Sequence, residues 1–435
     1  MTDAPDAAPV VGVRASADHA LIWRRTPALA IGSVSALAIA VAGLLLSRPD
    51  AAALGIPLAL WCALVVFRPR GGRIAVTLSA SAAEDAAVVA GRVDVAADAD
   101  WVQLAVDQGG LRRGTADTAS GEGVVRTRAR LRHSGPVELI AATARAVDGD
   151  GAWASDPAPA LRLGWNAAPR TVRLGELPVA PRLRGLHGAH RGTRPGQGGE
   201  FRDIHPFAPG DELRRVDWRA TARLARQPGD LLVRRTDSLS EATVVIAMDT
   251  ADDLGTVVAT WGTADPERSG VTSLDLARQA ALSLATAAIG VGDRVSLHEL
   301  GAGGRTVLAG SGSRHLARLR STIAATGVSG DTTRFRRMPP VPQGSVVFVL
   351  STFFDGAAAQ LALRWHASGH RVVAIDVLPP SDTARLSPEQ RLALRTLRAE
   401  HVGALADLRR AGVDVVAWAE DGADAALRTA ARVRR

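Results

Sequence analysis

Two segments near the amino terminus carry no charge: PALAIGSVSALAIAVAGLLL (27–46) and AAALGIPLALWCALVVF (51–67). A helix that crosses a bilayer needs about 20 apolar residues, with about 17 as the lower limit. The first segment meets this easily and the second narrowly. The first is long for the apolar core of a cleaved leader, and the second follows after only SRPD. A helical hairpin in the membrane is therefore expected rather than a signal peptide. Arg14, Arg24 and Arg25 precede the hairpin, Arg68, Arg70 and Arg73 follow it, and only Arg48 lies in its loop. The positive-inside rule then predicts a two-pass protein of the inner (plasma) membrane with both termini cytoplasmic.

Beyond the hairpin the period changes twice. Residues 72–166 hold short runs, among them RIAVTLSA, WVQLAV and VELIAATARAV, in which apolar and polar positions alternate between Gly, Asp and Ser clusters. Alternation without helical stretches predicts an antiparallel sandwich. From residue 241 the apolar runs become continuous. EATVVIAMD and SVVFVLS look like strands buried on both faces. TSLDLARQAALSLATAAIG follows the first as a long helix, with Thr272 and Asp275 as a capping box and Gly290 as its stop. Helices at 313–326, 356–368 and about 387–411, strands RVVAIDVL and VDVVAWA and a terminal helix complete a doubly wound sheet. Binding sites in such sheets gather at the carboxyl ends of the strands, here MDTADD (248–253) and LSTFFD (350–355).

Composition narrows the chemistry. The 52 basic residues include no lysine, so a Walker A loop is impossible and ATP hydrolysis by that route is excluded. The formal charge of +8 is spread among acidic residues and forms no basic tail, so nucleic acid is not an expected partner. A single cysteine, Cys62, excludes an intrachain disulfide and a cysteine metal site. The glycine stretches GAGGRT and GSGSR read as loops, and His366 and His370 lack the glutamate of a zinc helix. No catalytic constellation emerges, and the chain is not expected to be an enzyme.

The densest polar stretch is GGEFRDIHPFAPGDELRRVDWRATARL (198–224), after a glycine-rich lead-in expected to be mobile. APGD makes a turn, and from Asp211 a short helix is expected with Asp211 as its cap and Arg214 paired to Asp217. Such exposed pairs contribute only about 0.3–0.5 kcal/mol, so they do not account for the charge density. Either Phe201, Phe207 and Trp218 pin a salt-bridged collar between domains, or the segment is an exposed docking surface rich in Trp and Arg.

Glu200, Phe201, Pro209, Gly210, Asp211, Asp217, Trp218, Ala222 and Arg223, together with the hairpin, the β-rich region and VVIAMD, resemble the domain-of-unknown-function 58 family. The resemblance implies a membrane-anchored protein with a C-terminal von Willebrand factor A-like domain. It also implies a MoxR-type AAA+ ATPase as partner, with other membrane proteins alongside. In that domain the first strand ends in Asp-x-Ser-x-Ser, which holds magnesium through oxygen ligands. Here the stretch reads Asp249-Thr-Ala251-Asp-Asp253, so one ligand is lost and Asp249 and Asp253 remain as a degenerate metal site. Ser351, Thr352, Asp355 and Thr332 or Thr333 are the other oxygen donors considered.

The expected architecture is thus α/β. It has a cytoplasmic tail (1–26), a transmembrane helical hairpin (27–67), a β-sandwich-like domain (72–178), a signature segment (179–240) and a doubly wound von Willebrand A-like domain (241–435). The expected function is a scaffold or adaptor working with the ATPase. Glu200, Phe201, Arg202, Asp203, Pro209, Gly210, Asp211, Arg214, Asp217, Trp218 and Arg223 form its coupling surface. The alternative is a metal-dependent hydrolase using the acidic cluster.

Overall fold

A computed structural model describes residues 12–432 apart from 68–70, 84–86, 110–111, 122, 181–189, 210, 228, 264–266, 302, 330–337 and 421. The fold is mixed α/β and divides into two compact units: Met1–Leu131 with Pro136–Trp165, and Arg132–Gly135 with Asn166–Arg435.

In the first unit the uncharged segments form α1 (Pro27–Leu45), α2 (Pro49–Ala53) and α3 (Gly55–Val66), the last two separated only at Leu54. Pro27–Leu45 and Pro49–Val66 are each long and apolar enough to cross a membrane. Small residues set how closely the helices approach. A Cβ on Gly43 would stand 2.3 Å from the Ala52 nitrogen, and one on Gly55 would stand 2.8 Å from the Ala36 oxygen. Close approach at small residues is how apolar helices pack when burial in water cannot drive them together.

The residues expected to be a tail instead supply two strands. β1 (Gly12–Ala20) and β2 (Trp23–Arg25) precede the hairpin, while β3 (Arg73–Ala82) follows it. β1 lies antiparallel on β3, with Gly12 opposite Ser81 and Ala20 opposite Arg73. The sequence GVRASADHA alternates, so Val13 and Ala15 pack on the core while Arg14, Ser16 and Asp18 face outward. Then come β4 (Val88–Ala97), β5 (Trp101–Gln108), β6 (Arg112–Ala119), β7 (Gly123–Arg130), β8 (Gly135–Val147), β9 (Trp153–Ser155) and β10 (Leu161–Ala167). One sheet runs β1-β3-β4-β7 and the other β2-β9-β8-β5-β6, with β10 on β8. Leu78 and Val93 from the first meet Leu104, Ile140 and Leu163 from the second in one buried core, a sandwich into whose strand order the hairpin is inserted.

The second unit opens with an antiparallel ribbon, β11 (His190–Pro206) and β12 (Leu232–Ser240), linked through α4 (Trp218–Leu224). Gly196, Gly198 and Gly199, expected in a mobile lead-in, lie within β11, and the pairing shifts register between Gly196 and Phe201. Residues 187–189 of that lead-in lie outside the described residues.

The rest is the doubly wound sheet. Its elements are β13 (Thr243–Asp249), α5 (Ser273–Gly290), β14 (Arg294–Leu300), β15 (Thr306–Gly310), α6 (Ser313–Ala324), β16 (Ser345–Ser351), α7 (Ala357–Ala367), β17 (Arg371–Asp376), α8 (Pro388–Arg410), β18 (Asp414–Ala417) and α9 (Ala423–Arg432). The strand order is β15-β14-β13-β16-β17-β18, parallel throughout except at the β15 edge. Ile246, Met248, Phe348 and Ile375 pack against α5, α6 and α9; Ala247, Val349 and Ala374 pack against α7 and α8. Burying a side chain such as Phe348 completely contributes about 1.5–3 kcal/mol. The capping box at Thr272 and Asp275 is present. The strand order reverses between β13 and β16, which places the switch point of the sheet where those two strands end.

Candidate functional site

Two regions hold the polar side chains singled out from the sequence. The first is the carboxyl edge of the sheet at its switch point. Asp249 ends β13 and Ser351 ends β16; the Ser351 hydroxyl donates to Asp249 Oδ2 at 2.7 Å, and the Ala251 amide donates to Oδ1 at 3.1 Å. Burial pushes the Asp249 carboxyl up to about 6 in spite of those two hydrogen bonds, and the nearby charges of Asp355 and Asp252 add to the rise. The Ser351 hydroxyl also accepts the amide of Phe353 at 3.0 Å. Phe353 is fully buried with φ of 54°. That is the left-handed region, which a bulky residue enters only when its surroundings hold it there. Thr352, beside it, is buried too.

Along the same edge Ser351 stands in register with Asp376 at the end of β17. Asp376 continues the alternation of Val372 and Ala374 toward α8, and His401 of that helix brings Nε2 to 3.1 Å from its Oδ2. Phe354 lies between His401 and Trp261, with ring centroids at 5.1 and 5.8 Å. Asp376, His401 and Phe354 were not picked out from the sequence, because no local motif links residues from a strand end, a loop and a distant helix.

Asp253 is spent on structure: its Oδ1 accepts the Leu274 amide in the first turn of α5, at 3.1 Å. In the same turn, Asp275 receives His133 at 2.6 Å and the amide and hydroxyl of Ser134 at 2.7 and 2.9 Å. Burial alone would raise the Asp275 carboxyl, but these partners outweigh it and hold it below the ordinary carboxylate range. Arg278, only 4% exposed, donates to the carbonyls of Thr326 and Ser134, each at 2.9 Å. Burial lowers its pKa, with Asp275 and Asp253 opposing the shift. Among the described residues no group of three or more His, Cys, Asp or Glu side chains is arranged to hold a metal ion. Thr332 and Thr333 lie outside the described residues.

The second region is the signature segment. Its helix does not begin at Asp211: that residue instead closes the turn, accepting the Ala208 amide at 2.9 Å and lying 3.4 Å from His205. Residues 213–215 make one 3-10 turn, Val216 is held extended by a bridge to Val233, and α4 starts after Asp217, whose side chain accepts the Ala220 amide at 2.9 Å. Asp217 is thus the cap. The expected Arg214–Asp217 pair does not form, because Arg214 reaches Glu212 at 2.6 Å.

Within this unit Trp218 lies at the surface. It is 67% exposed, with Leu213 and Leu224 beside it in sequence 65% and 64% exposed and Phe201 52%. Arg234 stacks over the Phe201 ring at 5.3 Å. Asp203, Pro209 and Arg223 are exposed; Glu200 and Arg202 lie on β11, and Gly210 is outside the described residues. Arg219 and Arg226 join Arg223 on the exposed side of α4 and just past it. Their spacing is legible in WRATARLAR. No described carboxylate pairs with these three arginines, whereas Arg214 and Arg215 both reach Glu212.

The family described as "Protein of unknown function DUF58" matches residues 203–397, which include α4 and the carboxyl edge. Uncharacterized proteins of Mycobacterium bovis and of two Mycobacterium tuberculosis strains are each 33% identical over 226 residues. The match covers 50% of this chain and 66% of each relative. No solved structure matches the chain.

Proposed function

The chain carries a DUF58-family domain, and from that premise we propose that it is a membrane-anchored scaffold that docks a partner protein on the exposed α4 face. The partner is a MoxR-type AAA+ ATPase, which supplies the mechanical work while this chain supplies anchoring and recognition. One observation carries the reading: Trp218 stands exposed beside Arg219, Arg223 and Arg226, none of which is paired to a described carboxylate. Trp and Arg dominate the energetics of protein interfaces, and an acidic partner surface with an apolar recess complements this face. The strand order with its antiparallel β15 edge supports a von Willebrand A-like reading of the sheet. The pairing of β1 with β3 supports a membrane-spanning hairpin whose two flanks share one side, and the arginine distribution supports the cytoplasm of the inner membrane as that side.

The test is recovery of the full-length protein from its host in detergent, with ATP or a non-hydrolysable analogue, followed by mass spectrometry. A AAA+ ATPase retained in a nucleotide-dependent way, and lost with Trp218→Ala, is the expected result. Recovery of no ATPase, or full retention by a folded Trp218→Ala variant, removes the reading.

The hydrolase alternative has less to stand on. Both Asp249 oxygens and one of Asp253 already accept hydrogen bonds, and Ala251 offers no side-chain ligand, which weighs against a magnesium ion at this place. Thermal stabilisation of the full-length protein by magnesium, abolished by Asp249→Asn, is the outcome that would restore it.

A further inference from the structure

The joint between the hairpin and the sandwich carries features that neither a membrane helix nor a soluble sandwich needs by itself. Within the first unit the chain enters and leaves the hairpin through cross-bonds. The Thr26 amide donates to the Ala152 carbonyl at 2.9 Å, and its hydroxyl donates to Gly151 at 2.6 Å. Trp153 Nε1 donates to the carbonyl of Val65 in the last turn of α3 at 3.1 Å, and Trp23 Nε1 donates to Gly71 at 3.1 Å. Leu29, Cys62, Val65 and Ala152 close a small buried cluster across the joint. Two helix ends and two strand turns are thus tied together, so the sandwich is seated at one fixed depth on the hairpin.

At that same level the surface is amphipathic. Ile22 is 63% exposed and Phe67 is 83% exposed, and Ile22 lies between Leu21 and Trp23, which are both bonded across the joint. Trp23 and Trp153 are partly buried, their ring nitrogens satisfied by backbone. Arg25 is exposed and stacks over the Trp153 ring at 5.6 Å. It makes no ion pair with a described carboxylate, whereas its neighbour Arg24 is paired to Asp156 at 2.5 Å. Tryptophans at the ends of apolar spans lie at headgroup level, and an arginine there is attracted by anionic lipid.

We propose that the base of the sandwich lies in the headgroup layer and that Arg25, held by Trp153, binds the phosphate of an anionic lipid while Ile22 and Phe67 enter the acyl boundary. The occupant is lipid because the exposed apolar residues of α3, Leu60 and Leu64, lead along the helix to Phe67 at this rim. The proposal rests on the hairpin spanning a membrane, and the experiment separates the two.

Membranes from the host are first extracted with alkaline carbonate. Release of the full-length protein overturns the spanning reading and the lipid site with it. If the protein stays, it is purified in neutral detergent and its retained lipid is measured by native mass spectrometry after addition of phosphatidylglycerol or phosphatidylcholine with the same acyl chains. Preferential retention of phosphatidylglycerol is expected, falling about fivefold in Arg25→Gln, the weight of one arginine at an anionic surface. Arg25→Lys should keep most of it, and Arg126→Gln, on an outer strand of the sandwich, should keep all of it. Equal retention of the two lipids overturns the proposal. So does an undiminished preference in Arg25→Gln, or displacement of the lipid by millimolar inorganic phosphate. A melting temperature of lipid-free Arg25→Gln equal to wild type establishes that a loss is not misfolding.

Discussion

The carboxyl edge of the sheet and the face of α4 are both rich in charged and aromatic residues, and they dispose of them in opposite ways. At the edge Arg278, Asp376 and His401 are buried, Asp249 and Asp275 are half-buried, and all five are engaged by neighbouring side chains or backbone. On α4 the one engaged carboxylate, Asp217, serves as a helix cap, while Trp218, Arg219, Arg223 and Arg226 spend nothing on the fold. A charge the fold uses internally is visible as a hydrogen bond. A charge left exposed beside an exposed Trp is available to something else. The contrast separates stability from recognition and can be tested by substitution.

The sharpest test is Arg278→Met. Removing it strips the carbonyls of Thr326 and Ser134 of a buried donor and deprives Asp275 of a cation 3.6 Å away. Breaking such a buried pair costs roughly 3–5 kcal/mol, to be read as a lower melting temperature of the full-length protein in detergent. A change below about 1 kcal/mol would mean that water solvates the site and the edge is not the closed structure described.

Next in size is the pH dependence set by Asp249. Its folded pKa of about 6 lies above the ordinary value of 3.8, so the folded state holds the proton more tightly than the unfolded chain. The stability this provides is full below about pH 4 and is lost as pH rises through about 6, a change on the order of 2–3 kcal/mol. Asp249→Asn should therefore match wild type near pH 4 and exceed it above pH 6, less what the Ser351 hydrogen bond contributes. Asp275, held low, works the other way, its contribution present above the ordinary carboxylate value and lost only as pH falls further. Parallel melting curves for wild type and Asp249→Asn across pH 4–8 would deny Asp249 its raised pKa.

Smaller effects are expected on the other side. Asp217→Ala removes a cap and should cost about 1 kcal/mol, enough to fray α4 and weaken partner retention indirectly; Asp217→Asn should restore most of it. Trp218→Ala should leave stability within about 0.5 kcal/mol while abolishing partner retention. A large loss of stability there would return Trp218 to the collar.

Much of the sheet was legible because its signals are local. EATVVIAMD and SVVFVLS are unbroken apolar runs, the Thr272–Asp275 box announces α5, and helices expected at 313–326, 356–368 and about 387–411 are found at Ser313–Ala324, Ala357–Ala367 and Pro388–Arg410. Failures occurred where a distant strand decides. Asp211 and Asp217 are equally good caps in sequence; Val216, held extended against Val233, excludes the first. GVRASADHA alternates plainly, yet nothing local says that its partner lies beyond two apolar helices. The site suffered similarly: Asp249 and Ser351 stand at readable strand ends, but His401 reaches Asp376 only because α8 crosses that face.

The placement of β1 also fixes an order of events during synthesis. Gly12 leaves the ribosome early but has no partner until Ser81 has been made, and the whole hairpin is translated in between. In the membrane-anchored reading proposed above, the strand waits, unpaired, while both helices are delivered to the bilayer, because only then do the two halves of the sheet meet on one side. On that reading insertion acts as a checkpoint on folding. A copy that places one helix and not the other leaves β1 and β3 on opposite sides, each with an open edge that other chains can join.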